Sequence, residues 1–179
     1  MTRRRTKEKA PPYISLFERL FSFYRKSPLF AITLTLLGFL VLAGGITLWN
    51  SRKEKEKKAW AALALANTVS DLKVSLEEYK GTCAEPWILY RLAAALYSEG
   101  DLSETTSTYE KLSREFPDHY LTGPALFILG QLYEEDKEEN KARQIYAKLI
   151  DAKRDIFWAQ KAGERLQGLR GSTVEVPEG

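Results

Sequence analysis

The stretch from residue 89 to residue 117, LYRLAAALYSEGDLSETTSTYEKLSREFP, is answered 37 residues later by LFILGQLYEEDKEENKARQIYAKLIDAKR at 126–154. Leu89, Leu92, Ala93, Leu96, Thr105, Tyr109 and Leu112 recur as Leu126, Leu129, Gly130, Tyr133, Ala142, Tyr146 and Leu149, matched in size class at each position. Within each copy the first half carries L-x-x-L-small-x-x-large and the second small-x-x-x-Tyr-x-x-Leu. These three- and four-residue steps put the apolar side chains on one face of a helix. Each copy is therefore a pair of helices, and the small residues sit where the two cross closely. Gly100-Asp101 supplies the turn within the first copy, and Pro117 stops its second helix because proline cannot continue one.

Self-similarity at such a period marks a helical repeat protein. With Leu89, Leu92, Ala93, Leu96, Gly100, Tyr109, Leu112 and Pro117 at its signature spacings, the chain resembles the tetratricopeptide repeat (TPR) family. The second copy departs from the pattern: Lys137 replaces the turn glycine, Arg154 stands where proline is usual, and the interval exceeds the common length of about 34 residues. Two repeats bury too little on their own, since such arrays need about three units or caps. Caps are expected on both sides. Residues 59–79, with Ala59, Ala62, Leu63, Ala66, Val69, Leu72, Leu76 and Tyr79 at helical spacing, read as one amphipathic helix stopped by Gly81. Ile156, Ala159, Ala162, Leu166 and Leu169 read as the face of a final helix that covers the other end.

Further toward the N-terminus, residues 28–51 carry no charge, and 29–49 read LFAITLTLLGFLVLAGGITLW. At about 1.5 Å per residue this run crosses a hydrocarbon core of roughly 30 Å. Trp49 then falls at the interface, followed by Arg52-Lys53. A cleavable signal peptide fits less well, because the basic flank and the apolar run are both long and no clear A-x-A-like cleavage site follows. No cysteine follows closely enough for a lipoprotein anchor. Residues 1–27 hold eight Lys/Arg against Arg52, Lys53, Lys55, Lys57 and Lys58 on the far side, which predicts a cytoplasmic N-terminus and an exported repeat domain. Residues 13–26, YISLFERLFSFYRK, have the spacing of a helix lying along the inner leaflet. No breaker separates the apolar run from residue 59, so the repeat domain is expected near the bilayer.

The expected organisation is all-α. A basic segment at 1–27 precedes a transmembrane helix at 28–50, then a connecting and capping helix at 51–81. A TPR-like α-solenoid of two helical pairs follows at 84–170, with repeats at about 86–119 and 123–154, a cap helix at 155–169 and a loose tail at 171–179.

The net charge of +3 is unevenly spread, since from residue 59 onward acidic residues outnumber basic ones by twenty to fourteen. Phosphate neutralisation needs clustered positive charge on the folded surface, so nucleic acid is not an expected partner. One cysteine, Cys83, and one histidine, His119, make neither a disulfide nor a zinc site. Cys83 reads as a residue flanking a helix, and His119 as part of a loop. Glu134, Glu135, Asp136, Glu138 and Glu139 lack the spaced oxygen donors and turn glycine of a calcium loop. No nucleophile-base pair, carboxylate pair or phosphate-binding loop stands out, so the protein is expected to be no enzyme and to use no cofactor.

Stacked helical pairs form a concave surface lined by the first helix of each pair. Off the core stripe, Trp87, Tyr90, Arg91, Ala94 and Tyr97 in the first copy and Phe127, Gln131 and Glu134 in the second are candidates for a partner-binding groove. Their alternative is to fill gaps against the capping helices. A clamp for acidic tails would need groove lysines and asparagines, and only Arg91 is basic.

The order of elements from Pro28 to Leu169 is similar to that of the YfgM family of bacterial inner-membrane proteins. That resemblance implies an ancillary subunit of the SecYEG translocon, contacting periplasmic chaperones and emerging chains. A scaffold or assembly subunit of another membrane complex is the alternative, and an accessory or sensor domain for an enzyme a third.

Overall fold

The structure, a computed structural model, describes residues 28–152 and 155–171. The interfacial helix expected at 13–26, the tail beyond 171 and Arg154 lie outside the described residues. Seven helices are described: α1 (Pro28–Leu65), α2 (Val69–Glu78), α3 (Glu85–Glu99), α4 (Leu102–Glu115), α5 (Thr122–Glu135), α6 (Glu139–Asp151) and α7 (Ile156–Gly171). No strand occurs among the described residues. The chain divides into two compact units, Met1–Arg52 and Lys53–Gly179.

In the first unit, α1 exposes its apolar side chains, including Phe39, Leu40, Val41, Leu42 and Trp49. This helix is long and apolar enough to cross a membrane, and none of its apolar window is buried within the protein. Water would pay no such surface back, since each large apolar side chain left exposed forgoes about 1.5–3 kcal/mol of burial.

The second unit is built on the two repeats. All fourteen matched positions, from Leu89 to Leu149, are buried. Tyr109 and Tyr146 are among the largest fully buried side chains. Opposite Tyr146 lies Gly130, where an added Cβ would stand 2.4 Å from the ring, so the glycine sets how closely α5 and α6 approach. The turns correspond bond for bond. Gly100 takes a left-handed φ of 83°, and the Asp101 N–H donates to Leu96 O at 3.0 Å. Lys137 adopts the same hand at φ 60°, and the Glu138 N–H donates to Tyr133 O at 2.8 Å. Loss of the turn glycine therefore leaves the turn geometry intact and places backbone strain on Lys137.

The helix expected across 59–79 is broken. Its apolar period continues through residues 66–68, but Thr68 leaves helical geometry and caps α2. Its Oγ1 accepts from the Asp71 N–H at 3.1 Å, and Asp71 Oδ2 accepts from the Thr68 N–H at 3.1 Å. Such a reciprocal cap satisfies two backbone donors at once and offers the chain a better local solution than continued helix. The chain then doubles back, and Lys55 Nζ donates to Lys80 O at 3.0 Å. Ala59, Leu63 and Ala66 from one limb and Val69, Leu72, Leu76 and Tyr79 from the other are buried in the same core as the repeats.

At the other end the final helix keeps its expected face except at its first residue. Ala162 is fully buried and Leu166 and Leu169 pack on the core, but Ile156 is 81% exposed. Trp158 takes the inward position, because Gly123 has no side chain and the indole Cδ1 lies 3.1 Å from where its Cβ would be.

Candidate partner-binding groove

The groove candidates lie on α3 and α5, and their environments differ. Tyr97 is 47% exposed and Ala94 is exposed. Tyr90 is half-buried with its ring 5.7 Å from that of Tyr109, and burial raises its pKa above the usual tyrosine value. Phe127 is half-buried between Tyr146 and Trp158, at centroid distances of 5.9 and 5.3 Å. Gln131 is half-buried on the same helix.

Two charged candidates are engaged within the protein. The Arg91 guanidinium donates from Nη1 to Leu63 O and from Nη2 to Ala66 O at 2.8 Å. These are carbonyls at the C-terminal end of α1, where orphan acceptors and the helix dipole both favour a cation. Glu134 accepts from Arg165 Nε at 3.1 Å and Nη2 at 2.7 Å, and from the Tyr146 hydroxyl at 2.5 Å. It thereby ties α5 to α6 and α7. Glu134 thus differs from its acidic neighbours Glu135 and Asp136, which are exposed at the helix end.

Trp87 belongs to an aromatic cluster. Its ring lies 6.0 Å from Trp60, 5.2 Å from Tyr120 and 6.4 Å from His119. His119 is also stacked near Tyr120 at 4.6 Å, and its Nδ1 accepts from the Leu121 N–H at 3.2 Å. Its pKa is lowered by burial, which fits an imidazole acting as an acceptor. Cys83 is exposed in the α2–α3 turn, and its N–H donates to the Glu56 carboxylate at 3.0 Å.

A cleft of about 460 Å3 opens between the C-terminal ends of α4 and α6, lined by Ser113, His119, Tyr120, Leu126, Lys148 and Asp155 among others. Sequence reasoning did not find it, because it forms where two turns distant in sequence meet. The only sequence signal was the loop Pro117-Asp118-His119-Tyr120 that lines one side. Among the described residues no group of His, Cys, Asp and Glu is placed to hold a metal ion.

The helical pairs and their matched cores define a protein with tetratricopeptide repeats. The tetratricopeptide repeat family model matches residues 88–119 and 124–152. Repeats of this kind are interaction modules that bind other proteins and are typically non-catalytic, and among the described residues this chain carries them beside one helix able to span a membrane. A solved structure titled "MamA RS-1 ArsTM double mutant" is 16% identical, with 69% of this chain and 97% of that chain covered. Its TM-score of 0.28 is too low for the likeness to carry any argument. No curated protein matches the chain.

Proposed function

We propose that the protein is a single-pass adaptor of a bacterial inner membrane, with its N-terminus in the cytoplasm and its repeats in the periplasm. In this reading it serves as a YfgM-like ancillary subunit of the protein translocon that contacts chaperones and emerging chains. The observation that carries the reading is the pairing, in one chain, of two TPR repeats with an uncovered apolar helix ahead of them. A signal sequence also meets the criteria of length and apolarity. The lengths of the basic flank and of the apolar run favour a retained anchor. Orientation rests on the eight Lys/Arg of residues 1–27.

The partner surface is the face of α3 and α5 that presents Tyr97 and Gln131, flanked by Trp87, Tyr90 and Phe127. Arg91 and Glu134 support it through the neighbouring helices. Apolar rings beside an amide suit an extended or helical peptide of mixed polarity better than an acidic tail. Crosslinking of the tagged protein in membranes, with mass spectrometry of what is captured, tests the assignment. Translocon subunits and exported chaperones are the expected species. Capture of one different membrane complex would make the protein an assembly subunit instead. Tyr97→Ala with Gln131→Ala is expected to reduce capture about tenfold, the scale of one good interface contact. Unchanged capture with unchanged helicity would remove this face as the binding site.

A further inference from the structure

The two edges of the repeat unit differ in the side chains they expose. At one edge lie the N-terminal ends of α3, α5 and α7, with aromatic side chains at each. Trp60 meets Trp87, Trp87 meets Tyr120, the Gly123 backbone meets Trp158, and Trp158 meets Phe157 at 5.0 Å. Several of these groups face solvent: Trp60 is 42% exposed, Tyr120 58%, Phe157 58% and Ile156 81%. Lys80 and Lys148 are exposed at the same edge. Three of its carboxylates are held by backbone N–H groups, Glu56 by Cys83, Glu85 by Gly81, and Asp155 by Phe157 and Trp158, while Glu115, Asp118 and Asp151 are exposed near it. At the opposite edge the α3–α4 and α5–α6 turns expose Glu99, Asp101, Glu135, Asp136, Glu138 and Glu139, with Lys137 the one cation among them.

The chain comes into the unit at the aromatic edge. Lys55 bonds to the Lys80 carbonyl and Glu56 to the Cys83 N–H, both in the α2–α3 turn, and from there α1 and α3 run side by side as far as the Arg91 bonds to Leu63 and Ala66. Lys53 is the fourth residue after Trp49, the last aromatic of the apolar run, so chain length alone keeps them within about 14 Å. Tryptophan and tyrosine favour the lipid headgroup layer, lysines favour anionic lipid, and carboxylates are repelled by it.

We infer that the aromatic edge of the repeat unit docks on the anionic bilayer surface, leaving the acidic edge turned to the solvent. The inference rests on the reading of α1 as a bilayer span. Docking would hold the α3–α5 face at a defined height above the membrane, where an emerging chain passes it.

The test uses the full-length protein with Cys83→Ser and a bimane label at Ile156→Cys or Glu135→Cys. It is reconstituted into vesicles containing phosphatidylglycerol and a headgroup-quenching lipid, and resistance to alkaline extraction reports insertion of α1 separately. The label at 156 is expected to be quenched and the label at 135 not. Replacing the anionic lipid with phosphatidylcholine is expected to weaken quenching at 156, and Lys80→Gln or Lys148→Gln each to lower the docked-to-free ratio about fivefold. Tyr120→Ser with Phe157→Ser is expected to abolish it. Inserted protein whose two labels are quenched equally little overturns the docking and leaves the anchor standing. A label at 156 shielded from aqueous quencher but not reached by lipid quencher assigns the edge to a protein contact and also overturns it. Extraction of the wild-type protein by alkali overturns the anchor, and the docking with it.

Discussion

At the scale of single residues, the clearest constraint is Gly130. Its partner Tyr146 is fully buried with its hydroxyl bonded to Glu134, so Gly130→Ala should force α5 and α6 apart. Overpacking of this kind costs about 1–3 kcal/mol, and a lowered thermal midpoint with retained helicity would report it. Lys137 is the converse case. A non-glycine residue at its φ of 60° is strained by about 1–2 kcal/mol, part of which glycine would return as backbone entropy lost on folding. Lys137→Gly should therefore raise stability by about 0.5 kcal/mol in denaturant titration. Lys137→Ala, which keeps the strain, should not. The Gly100 equivalence was legible in sequence as a missing glycine, but its strain was visible only in the backbone.

At the scale of elements, the end of α1 depends on a side chain from another helix. Arg91 donates to two carbonyls there, so Arg91→Ala should loosen the junction of α1 and α2 at a cost of about 1.5–3 kcal/mol, the usual worth of hydrogen bonds from a charged donor. Faster amide exchange confined to residues 59–79 would mark the effect as local. Unaltered exchange there would mean that the α1 terminus does not need the guanidinium. The break itself carried a sequence signature in Thr68-x-x-Asp71, which is a capping box. Apolar periodicity hid it, because Ala66, Val69 and Leu72 keep the same core-facing spacing on both sides of the turn. The start of α7 was hidden in another way. Which of Ile156 and Trp158 points inward is decided by the space above Gly123, a residue on a different helix.

At the scale of the whole molecule, buried tyrosines link the repeats to pH. Burial raises the pKa of Tyr109, Tyr133 and Tyr146 above the ordinary value of about 10. Tyr133 donates to Glu110 across α4 and α5, and Tyr146 to Glu134 across α5 and α6. A raised folded pKa means that the unfolded chain gives up these protons first. Stability from the tyrosines is thus complete below about pH 10 and falls as pH rises through the folded values. Spectrophotometric titration should show these phenols ionising together with loss of helicity. Ionisation at the ordinary tyrosine value without unfolding would contradict their burial. The sole histidine, His119, has the opposite sign: with its pKa lowered, its contribution is lost as pH falls.

Sequence by itself determined the helical pairs, their matched core positions and the apolar run of α1. Each of these follows from residue period, length and charge along one segment, which are local quantities. Tertiary structure alone decided which candidates are held by other parts of the chain. Arg91 and Glu134 read as groove residues because their spacing puts them off the core stripe, yet both are held by groups far away in sequence, the α1 carbonyls and Arg165. The aromatic edge arises in the same way, from Trp60, Trp87, Tyr120 and Trp158 on separate elements brought into one row by stacking of the pairs. Periodicity describes one helix at a time, and these contacts exist only between helices.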